Sequence, residues 1–399
     1  MSPPLLAPLP SGLFDDPAPG TGSLVALLGE PAYREALVYF LLNVGDGDCQ
    51  VLLLPPERST GRRRLVVVDV ATTRKVPSLL EELHAAGLLD PPGAAGQVRL
   101  LVAPHPHFDH IGGMADLLDR YGADTGFVEE FWEPGFFFPQ PAFHALMARL
   151  EGSPIRRLQP SAGTTLFLGD VKLTVVGPGV GLRNRFDTFG VQVNDASITL
   201  MIAFPTGRVF PEQDPDNPDR VNRRMGSNES WRLLLGADAQ FTSWAQATID
   251  FPDLQQMQNS ALARELRAAR GTDYLRADVF KLSHHASKHG VNVELMERVD
   301  PALTLISSEA GGGRHGFPHM LALEAVREAR DAVARSGATR PADHDLGIHV
   351  TGDCLDSGAP LGSIALVLPR RKSPAQRRLF RLMDHAGARV QLAAAREAR

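Results

Sequence analysis

The chain reads as a mixed α/β (α+β) protein, on three observations. Short apolar, β-prone runs alternate with segments of helical period. The strand-like runs fall into two groups, at 37–68 with 98–102 and at 164–307. Aspartates and histidines gather where such runs stop, so strand ends at one sheet edge would bring them together.

The first 35 residues are rich in proline, glycine and small residues without periodicity, and read as a flexible arm, with order expected from Ala36. Residues 37–44 and 50–54 flank Gly45-Asp46-Gly47-Asp48 and predict a hairpin. A strand over 65–68 stops at Asp69, a helix follows over 76–86, and Val98–Val102 predicts a buried strand. Ile111-Gly112-Gly113-Met114 then turns the chain into a helix. The Phe-rich stretch 126–141 reads as a core lid or a substrate wall. Strands at 164–167 and 172–176 turn at Gly169-Asp170, and 197–204 is another. Residues 205–230, with Pro211, Pro215 and Pro218 and with Arg208, Arg220, Arg223 and Arg224, read as an inserted polar loop. Trp231–Leu235 is a strand ending before Asp238; a helix over 254–270 leads to a strand over 277–282 ending at His284-His285. A strand (303–307), a helix (321–336) and a hairpin of 348–350 with 364–368 complete a domain over 36–368.

With 399 residues and 43% apolar content the chain can bury a sizeable core, and its longest apolar runs fall far below the ~20 residues of a membrane span. The proline-rich start lacks the basic region of a secretory signal, so the expected location is cytoplasmic, with Cys49 and Cys354 reduced. The net charge of −5 argues against general attraction to nucleic acid. Residues 369–399 differ: nine basic and two acidic residues read as a basic helical tail able to grip phosphates.

His105-Pro106-His107-Phe108-Asp109-His110 is the most informative segment. On a strand-to-helix loop, His105 and His107 can converge on one cation while Asp109 and His110 begin a second site. Asp238 suits a bridging role, one oxygen for each cation. His284 and His285 would point to opposite sides of an extended chain, so one is expected to bind metal and the other to contact substrate or a ligand. Two divalent cations, Zn²⁺, Mn²⁺ or Fe by donor type, would lower the pKa of a shared water, which Asp109 or Asp69 could orient.

These residues resemble the metallo-β-lactamase fold hydrolases, with their His-x-His-x-Asp-His hallmark, and most of all the soluble hydrolase domain of ComEC-type competence proteins. Asn43-Val44-Gly45-Asp46-Gly47-Asp48 is similar to that group's opening Asp-Val-Gly-Gln-Gly-Asp, and Leu235-Gly236-Ala237-Asp238 to its Leu-Thr-Gly-Asp. Lys281-Leu282-Ser283-His284-His285-Ala286-Ser287 resembles its Lys-Val-Pro-His-His-Gly-Ser. The resemblance implies a four-layer αββα sandwich and, by position, His105, His107, Asp109, His110, Asp238 and His284 as metal ligands, with His285, Ser287 and His319 toward substrate. The family's usual third histidine has no clear equivalent, His144 being the one candidate in that interval, and Phe317 replaces a histidine of the Tyr-Gly-His-Pro-His motif. The implied activity is a metal-dependent phosphodiesterase or nuclease acting on DNA or another phosphodiester, away from any membrane. The alternatives are a small-molecule ester, lactone or phosphoester hydrolase, and a metal-binding effector within a larger complex.

Overall fold

The computed structural model describes residues 8–10, 13, 23–183, 192–206, 229–252, 261, 274–330 and 342–398. The chain opens with helix α1 (Ser23–Gly29), hairpin strands β1 (Leu37–Leu41) and β2 (Cys49–Leu53), β3 (Leu65–Val70), α2 (Lys75–Ala85) and β4 (Val98–Val102). The single turn α3 (Phe108–Ile111), α4 (Met114–Tyr121), β5 (Glu130–Trp132), α5 (Pro141–Leu150) and β6 (Arg156–Leu158) follow. Strands β7 (Thr165–Leu168), β8 (Val171–Gly177) and β9 (Thr199–Phe204) begin a second sheet, with the short α6 (Val180–Arg183) between the last two. It continues through β10 (Trp231–Leu235), α7 (Phe241–Asp250), β11 (Val279–Lys281), α8 (Val293–Val299), β12 (Leu303–Ile306), α9 (Met320–Arg330) and β13 (Ile348–Val350). The chain then returns to the first sheet as β14 (Ile364–Leu368), β15 (Arg378–Arg381) and β16 (Arg396–Glu397).

Among the described residues the sheets have nine strands, in the order β16-β15-β14-β1-β2-β3-β4-β5-β6, and seven, β13-β12-β11-β10-β9-β8-β7. Alternation along each strand builds three cores. In β1, Leu37, Tyr39 and Leu41 face the second sheet, whereas Val38 and Phe40 join α1, α2, α4 and α5 on the outer side. In β10, Leu233 and Leu235 face inward while Leu234 joins α7, α8 and α9. The result is the αββα arrangement that the resemblance implied. Away from the edge strands β6 and β7, the large strands of both sheets are buried on two faces, which explains why they read as continuous apolar runs.

Four expectations change. Helix α1 buries Leu24, Leu27 and Leu28 in the outer core, so order begins before Ala36. Residues 348–350 and 364–368 do not form a hairpin: β13 pairs with β12 in one sheet and β14 with β1 in the other. The basic tail is not a helix. Its β15 pairs antiparallel with β14, burying Leu379 and Phe380, because the nine-stranded sheet needs a partner beyond β14 that local periodicity does not disclose. The Phe-rich stretch divides, with Phe127 and Phe131 in the core and Phe137 exposed. The helix expected over 254–270, most of the polar loop at 205–230 and the end of the helix expected over 321–336 lie outside the described residues.

Strand direction fixes where chemistry can gather. Strands β3, β4 and β5 run parallel, as do β10, β11 and β12, and the residues after β4, β10 and β11 meet at one edge of the sandwich. At that edge a Cβ on Gly236 would collide with Ser283 Oγ, so only glycine lets the ends of β10 and β11 approach this closely. Among the described residues, no helix is long and apolar enough to cross a membrane.

Candidate metal centre

After β4 the chain runs through His105 and His107 into α3, whose one turn carries Asp109 and His110. After β10 it presents Asp238, and after β11 it presents His284 and His285. Two donor groups result: His105, His107 and Asp238; and Asp48, His110, Asp238 and His285. Within each, one potential ligand atom per residue lies within 4.8 Å of all the others.

Asp238 belongs to both groups, and its two oxygens divide between them. Its Oδ2 lies 3.5 Å from His105 Nε2 and 3.7 Å from His284 Nε2; its Oδ1 lies 3.2 Å from His110 Nε2 and 3.8 Å from His285 Nε2. Asp109 Oδ2 joins the second side, 3.7 Å from His110 Nε2 and 3.6 Å from His285 Nε2.

The donor set fits cations on a simple test. Both ring nitrogens of His105, the Nε2 atoms of His110 and His285, and one oxygen each of Asp48 and Asp238 are buried without a hydrogen-bond partner. Leaving so many polar atoms unsatisfied in one place is costly unless something else satisfies them. The tautomers agree. His110 Nδ1 pairs with Asp69 Oδ1 at 2.8 Å and His285 Nδ1 with the Ser307 carbonyl at 3.0 Å, so each ring uses Nδ1 to donate and turns Nε2 inward as a lone pair. Asp69 is itself held by Gln50 Nε2 at 3.0 Å, and Gln50 Oε1 accepts from the Tyr39 hydroxyl at 2.7 Å. Asp69 therefore orients His110 from behind.

Charge at the cluster follows the same division. Burial, and then His110, hold the His105 imidazole below its usual range; burial does the same to His107 and His284. Burial opposes charge on His110, but Asp238, Asp69 and Asp109 outweigh it and hold His110 well above the usual range. At His285, Asp48 and Asp109 outweigh burial in the same way. Burial alone would raise Asp238 and Asp109; the histidines hold both below the ordinary carboxylate range.

His284 and His285 do not lie along an extended chain. Both are left-handed, at φ 50° and 53°, with Ala286 at 62° and Ala237 at 43° nearby, and this backbone turns both rings toward Asp238. Such conformations are costly for residues other than glycine and collect at functional sites. His285, not His284, falls in the compact donor group. Gln240 Nε2 faces His284 Nδ1 at 3.3 Å while the same side chain caps α7, and Asn194 Nδ2 faces His284 Nε2 at 3.5 Å, so an amide side chain flanks the ring at each nitrogen. His284 Nε2 lies no farther from the Asp238 carboxylate than His285 Nε2 does, on the side of His105, so both rings face the donors.

Ser287 is buried in the turn, its Oγ accepting from the His289 amide at 3.4 Å. His319 lies at the rim, 5.3 Å from the Phe317 ring. His144 sits on α5 beside Phe137 and joins neither donor group. Sequence reasoning missed Asp48, Gln50 and Lys281. Lys281 pairs with Asp48 in full burial, joining the β1–β2 turn of one sheet to β11 of the other. The signal was available: a lysine inside an apolar strand requires a buried acid.

No family model matches the chain. The acyl-coenzyme A thioesterase MBLAC2 of Gallus gallus is 37% identical over 134 residues, 29% of this chain and 46% of that protein, so the chain spans about half the length of this curated relative. Among solved structures, the Rm3 metallo-beta-lactamase is 16% identical with a TM-score of 0.29, covering 79% of this chain and 97% of that one. A diphosphatase from the PhnP family is 14% identical with a TM-score of 0.34, covering 80% and 96%. CmlA, a diiron beta-hydroxylase from Streptomyces venezuelae, is 12% identical with a TM-score of 0.34, covering 78% and 53%.

Proposed function

We propose that the protein is a metal-dependent hydrolase of a small ester or thioester with an apolar acyl group. The observation that carries this reading is the surround of the donor cluster. Phe138 packs edge-on to His107 at 5.3 Å, and Phe317 lies against His284 and His285 at 5.5 and 5.6 Å. Phe108 and Phe137, 60% and 68% exposed, adjoin them in the chain. An apolar mouth with a few convergent polar groups suits a small apolar ligand.

Two of the tail's basic residues that favoured a polyanion lie elsewhere. Arg370 pairs with Asp170 in the β7–β8 turn and Lys372 with Asp278 ahead of β11, both at the end of the strands away from the donors. The described ends of the polar loop, at β9 and β10, are on that same far end. The relative named as a thioesterase agrees with the acyl reading. His105, His107 and Asp238 would hold one cation, and His110, His285 and Asp238, with Asp109 or Asp48, the other. Bound there, divalent cations would supply Lewis acidity to a carbonyl oxygen and lower the pKa of water toward neutrality. Asp109, the more exposed acid, can orient that water, and His284 can contact the substrate oxygen.

The test is hydrolysis of octanoyl-coenzyme A, bis(p-nitrophenyl) phosphate and end-labelled DNA by protein reconstituted with Zn²⁺ or Mn²⁺. Thioester cleavage abolished by chelator supports the proposal; cleavage of DNA or the phosphodiester with the thioester untouched would replace it with the nuclease reading.

A further inference from the structure

We infer that Asp46 is a positioning residue: it latches the segment from Glu309 to Phe317 so that the Phe317 ring becomes the wall that selects an apolar acyl group. Asp46 lies in the β1–β2 turn, two residues before Asp48. Its Oδ1 accepts from the Glu309 amide at 3.2 Å and its Oδ2 from the Arg314 amide at 3.1 Å. Between those amides Gly311, Gly312 and Gly313 all have positive φ, at 72°, 91° and 48°, and a Cβ on Gly313 would collide with the Asp46 carboxylate. Three successive glycines give this stretch little backbone preference of its own. The carboxylate bridging its two ends supplies the constraint. Beyond the latch, Phe317 reaches both His284 and His285, with His315 stacked at 5.8 Å and His319 at 5.3 Å behind it. The ring is half-buried, leaving apolar surface open beside the donors.

The catalytic consequence rests on the hydrolase reading, but binding and amide exchange test the inference without catalysis. On metal-loaded protein, calorimetry should show octanoate binding more tightly than acetate. Asp46→Ala and Phe317→Ala should each weaken octanoate about tenfold while changing acetate less than about twofold, as expected for losing apolar contact alone. Phe317→Leu and Asp46→Asn, which keep part of the volume and one acceptor, should lose less, and metal content should match the parent in all four. In hydrogen exchange, Asp46→Ala should deprotect the amides of 309–317. Equal loss for both acids, no preference for octanoate in the parent, or unchanged exchange in Asp46→Ala would overturn the inference. If the parent cleaves no thioester yet binds octanoate through Phe317, the proposed function fails and the Asp46–Phe317 wall stands.

Discussion

At one end of the sandwich Arg370, Lys372, Arg64 and Arg99 meet Asp170, Asp278, Glu57 and Glu129 at or near the surface. At the other, Asp48, Asp69, Asp109 and Asp238 meet histidines, three of the four acids fully buried. The first end pairs these acids with arginine or lysine, although both Asp170 oxygens are buried without a hydrogen-bond partner. The second gathers buried histidine nitrogens and carboxylate oxygens without hydrogen-bond partners around one point, and that concentration, not the amount of charge, marks the candidate functional edge.

The strongest way to break this contrast is Asp238→Asn, which removes the carboxylate shared by both donor groups. Activity should fall roughly a thousandfold, the several kcal/mol that bound cations supply, with metal content measured alongside. Next, Lys281→Met leaves Asp48 buried without its cation and should cost about 3–5 kcal/mol in urea unfolding. Asp69→Asn frees His110 from its carboxylate and should weaken metal affinity about 10–100-fold in a chelator competition, with the fold intact.

Two further groups sharpen the comparison through pH. Burial, with Arg381 and Arg377, pushes His349 down to about 3 from 6.5. Within that window the unfolded chain takes a proton that the folded chain refuses, so this group removes stability as pH falls. Burial pushes Asp353 up to about 6 from 3.8, so there the folded chain keeps a proton that the unfolded chain has lost, and stability falls as pH rises. Relative to the parent, His349→Gln should gain stability as pH falls from 6.5 to 4, and Asp353→Asn should gain it as pH rises from 4 to 6; chemical unfolding across pH reads both. The smallest effect belongs to the far end: Arg99→Ala should change stability by no more than about 1 kcal/mol.

The metal edge was legible in the sequence where the chemistry is local. His105 to His110 sit in one loop, and Asp238 and the His284-His285 pair each follow an apolar strand, so their convergence could be argued from strand ends. What was hidden depends on partners distant in sequence or on backbone shape. That His284 and His285 both turn toward Asp238 depends on their left-handed backbone, which no side-chain pattern announces. Asp48 acquires its place from Lys281, 233 positions later. The pairing of β14 with β1, and of β15 with β14, joins segments whose own periodicity is too short to choose a sheet.

The same separation governs assembly. Lys75 Nζ donates to Asp384 Oδ2 at 2.6 Å across 309 positions; Asp384 also takes the Ser363 amide and hydroxyl, and Asn43 donates to its carbonyl, immediately before the turn that carries Asp46 and Asp48. During synthesis this knot cannot close until residue 384 has left the ribosome. Until then a lysine destined for the interior lacks its acid, and the hairpin beneath the donors lacks its tether. A ribosome that stops early would release a chain carrying every histidine of the centre but not the closure that holds them in place, which separates possession of the ligands from competence to use them.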